Sequence, residues 1–132
     1  MVTLRNFWVA GLLGIFLSNP FCGCSPRPNA HVAAANLLTQ RYATSRFAAW
    51  RIRATARGND CSVLVLQTSI ILEDSMIEAM HYGAGSYDTY DGGMQQFTRD
   101  HRFRGVAYKD ISGKIWTYGP VSRKEAEAAA CH

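Results

Sequence analysis

The chain reads as an α+β domain, a small four-stranded, mainly antiparallel sheet built from two hairpins with helices packed on a face. Three observations predict it. Residues 50–57, WRIRATAR, alternate strictly between apolar and basic or polar residues, which is the period of a half-buried strand. Residues 103–120, FRGVAYKDISGKIWTYGP, place two strand-like runs around Asp110-Ile111-Ser112-Gly113, a tight-turn sequence with Gly where positive φ is favoured. Before, between and after the hairpins lie segments whose apolar residues recur at helical spacing.

In chain order, Asn29 is the expected N-cap of a helix over residues 30–46, with Val32, Ala35, Leu38, Tyr42 and Ala43 on one face. In the strand that follows, Trp50, Ile52, Ala54 and Ala56 form the apolar face, and Arg51, Arg53, Thr55 and Arg57 the polar one. Gly58-Asn59-Asp60 is turn chemistry, because these residues tolerate positive φ at little cost. The unbroken apolar run Val63 to Leu66 then predicts a strand covered on both faces, which closes the first hairpin. Residues 72–83, LEDSMIEAMHYG, read as a short helix. Ser75 and Glu78 have capping-box spacing, Met76, Ile77, Met80 and Tyr82 form the buried side, and Gly83 is the left-handed terminator. A second helix from about Gly92 to Asp100 takes Asp91 as its cap and buries Met94 and Phe97. In the last hairpin Phe103, Tyr108, Trp116 and Tyr118 suit cross-strand pairing, and Pro120 ends the second strand. Ser122 with Glu125 forms a second capping box, opening an Ala-rich helix that carries Cys131 back towards Cys61.

The amino terminus bears on where the protein acts. Arg5 precedes an apolar run from Phe7 to Leu17, and Asn19 and Pro20 break it, the order found in a secretory signal peptide. As a helix this run would cover roughly 16 Å, well short of the roughly 30 Å of a bilayer core. Residues 1–24 are therefore expected to be a signal peptide, residues 25–29 a short Pro-rich tether, and residues 30–132 a single domain. Cleavage after Cys24 or after Ala34 fits the small residues that a signal peptidase reads. Gly23-Cys24 also has a loose likeness to the end of a bacterial lipobox, which makes Cys24 a lipidation candidate. Removal of residues 1–24 leaves Cys61 and Cys131, and an even pair in an oxidising compartment is expected to form a disulfide.

Chemistry is less legible. The formal charge of +4 on 132 residues is too mild to imply nucleic acid, and no nucleic-acid partner is expected. Of the four His, none pair at i, i+4 on a helix, so neither a metal site nor a cofactor is expected. Residues 81–93, HYGAGSYDTYDGG, combine His81 with Tyr82, Tyr87, Tyr90, Asp88 and Asp91, in a stretch whose glycines also suit a plain connection between helices. The three Tyr are binding candidates. His81 and His101, both near expected helix ends where the dipole favours a protonated imidazole, are catalytic candidates with Asp88 and Asp91. With Arg99, Arg102 or Arg104 they would make a small secreted hydrolase acting on a phosphodiester, in which His moves protons and Arg stabilises developing charge. Arg51, Arg53 and Arg57 form a basic stripe able to meet lipid phosphate, an acidic glycan or nucleic acid, although a solvated strand face whose charges discourage edge pairing is the favoured reading. No catalytic set is complete, so the leading expectation is a non-catalytic exported envelope protein. It would bind another envelope protein or the membrane surface.

Overall fold

A computed structural model describes residues 29–84 and 89–132. The expected signal peptide, residues 25–28 of the expected tether, Cys24, Tyr87 and Asp88 lie outside the described residues. The chain order is α1 (Ala30–Ala43), a single 3-10 turn (Ala48–Trp50), β1 (Arg53–Arg57), β2 (Val63–Gln67), α2 (Asp74–Tyr82), α3 (Gly93–Asp100), β3 (Gly105–Lys109), β4 (Ile115–Tyr118) and the one-turn α4 (Arg123–Ala126).

Both hairpins form, and together they make one four-stranded sheet in the order β1-β2-β3-β4. The outer pairs β1·β2 and β3·β4 are antiparallel. The central pair β2·β3 is parallel, with Val63 opposite Gly105 and Gln67 opposite Lys109. Helices α2 and α3 supply the long crossover that a parallel pair requires. One face carries Ala54, Ala56, Leu64, Leu66, Val106 and Tyr108, and it packs on Leu38 and Tyr42 of α1, Ile77 and Met80 of α2 and Met94 and Phe97 of α3. Among the described residues the opposite face is covered at one end only, where Ala126 of α4 packs on Val63, Val65 and Ala107. All four apolar residues of β2 are buried because each sheet face has its own cover.

Local chemistry explains most boundaries. The Asn29 side chain accepts hydrogen bonds from the His31 and Val32 amides and so opens α1. The helix stops at Ala43, earlier than its apolar spacing predicts, because the Thr44 and Ser45 hydroxyls bond back to carbonyls of the last turn. Strand β1 starts at Arg53 rather than Trp50, since Ala48–Trp50 coils into a 3-10 turn and Arg51 sits in the left-handed region at φ 52°. Gly83 ends α2 in that same region, as expected. The Ser122–Glu125 capping box forms.

Other expectations are overturned. Helix α2 begins at Asp74 with Glu73 as its N-cap, so Ser75 lies inside the first turn and the predicted box with Glu78 is not made. Tyr82 is exposed and His81 takes its place against the core. Asp91 does not cap α3, whose N-cap is the left-handed Gly92. The C-terminal helix lasts one turn, and an extended bridge between Ala130 and Arg57 brings the chain back to β1. It returns far enough for Cys61 and Cys131 to form the disulfide, with Cα atoms 6.0 Å apart.

The glycines of the α2–α3 connection have a structural task. A Cβ on Gly93 would stand 2.3 Å from the Gly83 amide nitrogen, and one on Gly83 would stand 2.6 Å from that of Gly93. The two backbones cross where only glycine fits.

Candidate functional site

Three loops meet at the end of the sheet that α4 leaves uncovered. The left-handed Arg51 is held by its amide bond to the Ala48 carbonyl. The Trp50 carbonyl accepts both the amide and the hydroxyl of Ser69, at 2.9 and 3.0 Å. The Thr68 amide donates to the Lys109 carbonyl, and the Ile111 amide to the Ile70 carbonyl at 3.1 Å. Asp110 joins the last two loops. Its Oδ2 accepts the Leu72 amide, and its Oδ1 accepts the Ser112 amide and hydroxyl and the Lys114 amide. The carboxylate is almost buried, and the hydrogen bonds from Ser112, followed by those from the Leu72 and Lys114 amides, hold its pKa below the ordinary value.

These loops enclose an open hollow of about 560 Å³, walled by Arg51, Arg53, Lys109, Ser69 and Ser112. Cross-strand register puts Arg53, Gln67 and Lys109 in one row on the uncovered sheet face. Among the described residues Arg51, Arg53 and Lys109 make no ion pair. The one carboxylate in the wall, Asp110, already spends its oxygens on amides and a hydroxyl. The hollow therefore carries an excess of positive charge, three cations against the one ionised carboxylate, on loops joined by hydrogen bonds, and that field favours an anion.

Arg57, the third member of the predicted stripe, is used differently. Its Nε donates to Thr55 Oγ1 and its Nη1 to the Ala128 carbonyl, fastening the C-terminal segment to the sheet. Burial, and then the like charge of Arg53, lower its pKa.

His81 sits elsewhere, on the helix-covered side. Its Nδ1 is 2.9 Å from the Tyr108 hydroxyl, and its ring stacks on Tyr118 with centroids 3.8 Å apart. Burial lowers its pKa to about 4, so the imidazole is neutral at pH 7. This reverses the expectation of a helix-end imidazolium, because desolvation outweighs the dipole. Desolvation likewise pushes the Tyr108 hydroxyl well above its ordinary pKa and keeps it protonated. A smaller hollow of about 250 Å³ lies against His81, with Gln95, Arg99, Arg104 and Tyr118 in its wall. His101 is not part of that wall and packs its ring on Phe97, 4.3 Å between centroids. Arg104 is committed to Glu125 in a two-point ion pair, with the Ser62 hydroxyl and Asp60 beside it.

The remaining candidates are dispersed. Tyr90 donates to Asp100 at 2.6 Å, with the Arg41 guanidinium over its ring. Tyr82 lies edge-on to His81, and Asp91 is exposed. No group of three His, Cys, Asp or Glu among the described residues is placed to hold a metal ion, and no helix among them is long and apolar enough to cross a membrane. Lys109 and Asp110 were not legible as site residues, the first because its place beside Gln67 depends on the parallel pairing, the second because it reads as a turn residue. No family model matches this chain, and no curated protein or solved structure is similar to it.

Proposed function

We propose that this chain is a small exported, non-catalytic binding protein that takes an anionic group, a phosphate or carboxylate of its ligand, in the hollow between Arg51, Arg53 and Lys109. The observation that carries the reading is the set of three cations that make no ion pair among the described residues, around a hollow whose one described carboxylate is bonded to other donors. Export rests on the Phe7–Leu17 apolar run behind Arg5 and is supported by the Cys61–Cys131 disulfide, a bond that persists in oxidising compartments. Titration calorimetry with inorganic pyrophosphate at low salt tests the site. Arg51→Gln, Arg53→Gln and Lys109→Gln should each weaken binding about tenfold, the worth of a charged hydrogen bond, while Arg123→Gln on α4 leaves it unchanged. Equal affinity in the triple variant and the parent would refute the assignment.

One observation favours a hydrolytic alternative: the neutral His81 lines a hollow together with Arg99 and Arg104. It predicts slow cleavage of bis(p-nitrophenyl) phosphate that vanishes in His81→Gln. Cleavage at the buffer rate by the parent protein would remove it.

A further inference from the structure

We infer that the basic hollow is the centre of a docking surface for an anionic phospholipid membrane, with Ile71 and Ile111 as the side chains that enter the lipid; this rests on the reading of the hollow as an anion site. Ile71 and Ile111 are 60 % and 61 % exposed, the most exposed large aliphatic side chains among the described residues. They belong to the two loops that edge the hollow, and Ile111 is part of its wall. The loops are bound edge to edge by the Ile111 amide on the Ile70 carbonyl and by Asp110, which bonds to Leu72 in one loop and to Ser112 in the other. Two aliphatic side chains are thus held in water on a rigid frame beside Arg51, Arg53 and Lys109.

That pairing of chemistries selects the partner. An interfacial protein places cations at headgroup phosphates and apolar side chains at the acyl boundary, with both on one surface. The hollow is open, and its wall mixes cations with Gln67, Thr68, Ser69 and Ser112, hydrogen-bonding residues suited to phosphate and glycerol oxygens. Ile111 in the wall and Ile71 on the adjoining loop are both largely exposed, so a bilayer can receive them without a matched pocket. The chain's net charge of +4 acts in the same direction at longer range.

Co-sedimentation of the full chain with vesicles tests this, using phosphatidylcholine alone and phosphatidylcholine mixed with phosphatidylglycerol. The apolar amino-terminal run contributes to both vesicle types, so the quantity to read is the ratio of anionic to neutral binding. It should be large at low salt, shrink at high salt, and fall roughly fivefold for each of Arg51→Gln and Lys109→Gln. Ile71→Ser, on the adjoining loop and outside the wall of the hollow, should lower binding to the anionic vesicles several-fold and leave pyrophosphate affinity intact. Ile71 is exposed, so this variant keeps its fold. A ratio near one, or anionic-vesicle binding unchanged by Ile71→Ser, overturns the membrane inference while pyrophosphate binding would still support the anion site. Capture of a Glu-rich peptide by the Ile variant, with no preference for anionic vesicles, would make an acidic peptide the occupant instead. If neither pyrophosphate nor anionic vesicles bind, the reading of the hollow fails together with it.

Discussion

Asp110 occupies a turn, and its residue type says no more than that. Its four hydrogen bonds, to Leu72, Lys114 and twice to Ser112, make it the joint between two loops nearly forty residues apart in sequence. Asp110→Ala should therefore loosen the hollow as well as the turn, with faster amide exchange at Leu72 as well as at Ser112 and Lys114. His81 is a second case in which surroundings decide. The sequence places it near a helix end, where a protonated imidazole is favoured, but Tyr108 and Tyr118 enclose it and make it neutral. Its folded pKa of about 4 lies below the unfolded value near 6.5, so the unfolded chain binds the extra proton first as pH falls. Stability from this residue is complete above about pH 6.5, declines between there and about pH 4, and is flat below, a total of roughly 3 kcal/mol. Denaturation of parent and His81→Gln across that window measures it, and parallel curves for the two proteins would contradict it.

At the scale of elements, what the sequence disclosed is local. The two hairpins, the β2 run covered on both faces, the Asn29 and Ser122 caps and the Gly83 terminator all depend on residues within a few positions of one another. The parallel β2·β3 pairing was not legible, because it joins segments forty residues apart and leaves no local mark. The hollow was half legible for that reason: Arg51 and Arg53 share a strand pattern, while Lys109 reaches them only through the sheet. The Gly-rich connection is also clearer with its backbone crossing in view. Gly93→Ala should cost at least about 2 kcal/mol, from its left-handed φ and the contact with Gly83, where Gly113→Ala, with open space around it, should cost less. Chemical denaturation of the two variants makes the comparison. The outer side of β1 is guarded in two ways. Thr39 exchanges hydrogen bonds with both backbone groups of Ala54, and the Cys131 amide bonds to the Ala56 carbonyl.

Across the molecule, the disulfide and the charge pattern connect structure to setting. The Cys61–Cys131 bridge spans 70 residues of sequence and encloses β2, both middle helices and the second hairpin. Restricting the unfolded chain to that extent is worth about 4 kcal/mol, so Cys61→Ser with Cys131→Ser should shift the denaturation midpoint by a corresponding amount. The cysteines were legible as a pair because the amino-terminal pattern leads to the expectation of an oxidising compartment, and removal of residues 1–24 would leave an even number. Positive charge is distributed unevenly in its pairing. Arg104 is held by Glu125, whose carboxyl it draws down to about 2, and Lys114 by Asp74, whereas among the described residues the three cations of the hollow have no such partner. An anion site marked by this asymmetry is tested by following backbone amide shifts during titration with pyrophosphate. Saturable changes confined to residues 51–53, 67–70 and 109–113, absent in Arg51→Gln/Lys109→Gln, are the predicted result. Changes centred on His81, Arg99 and Tyr118, or spread evenly over the basic surface, would contradict it.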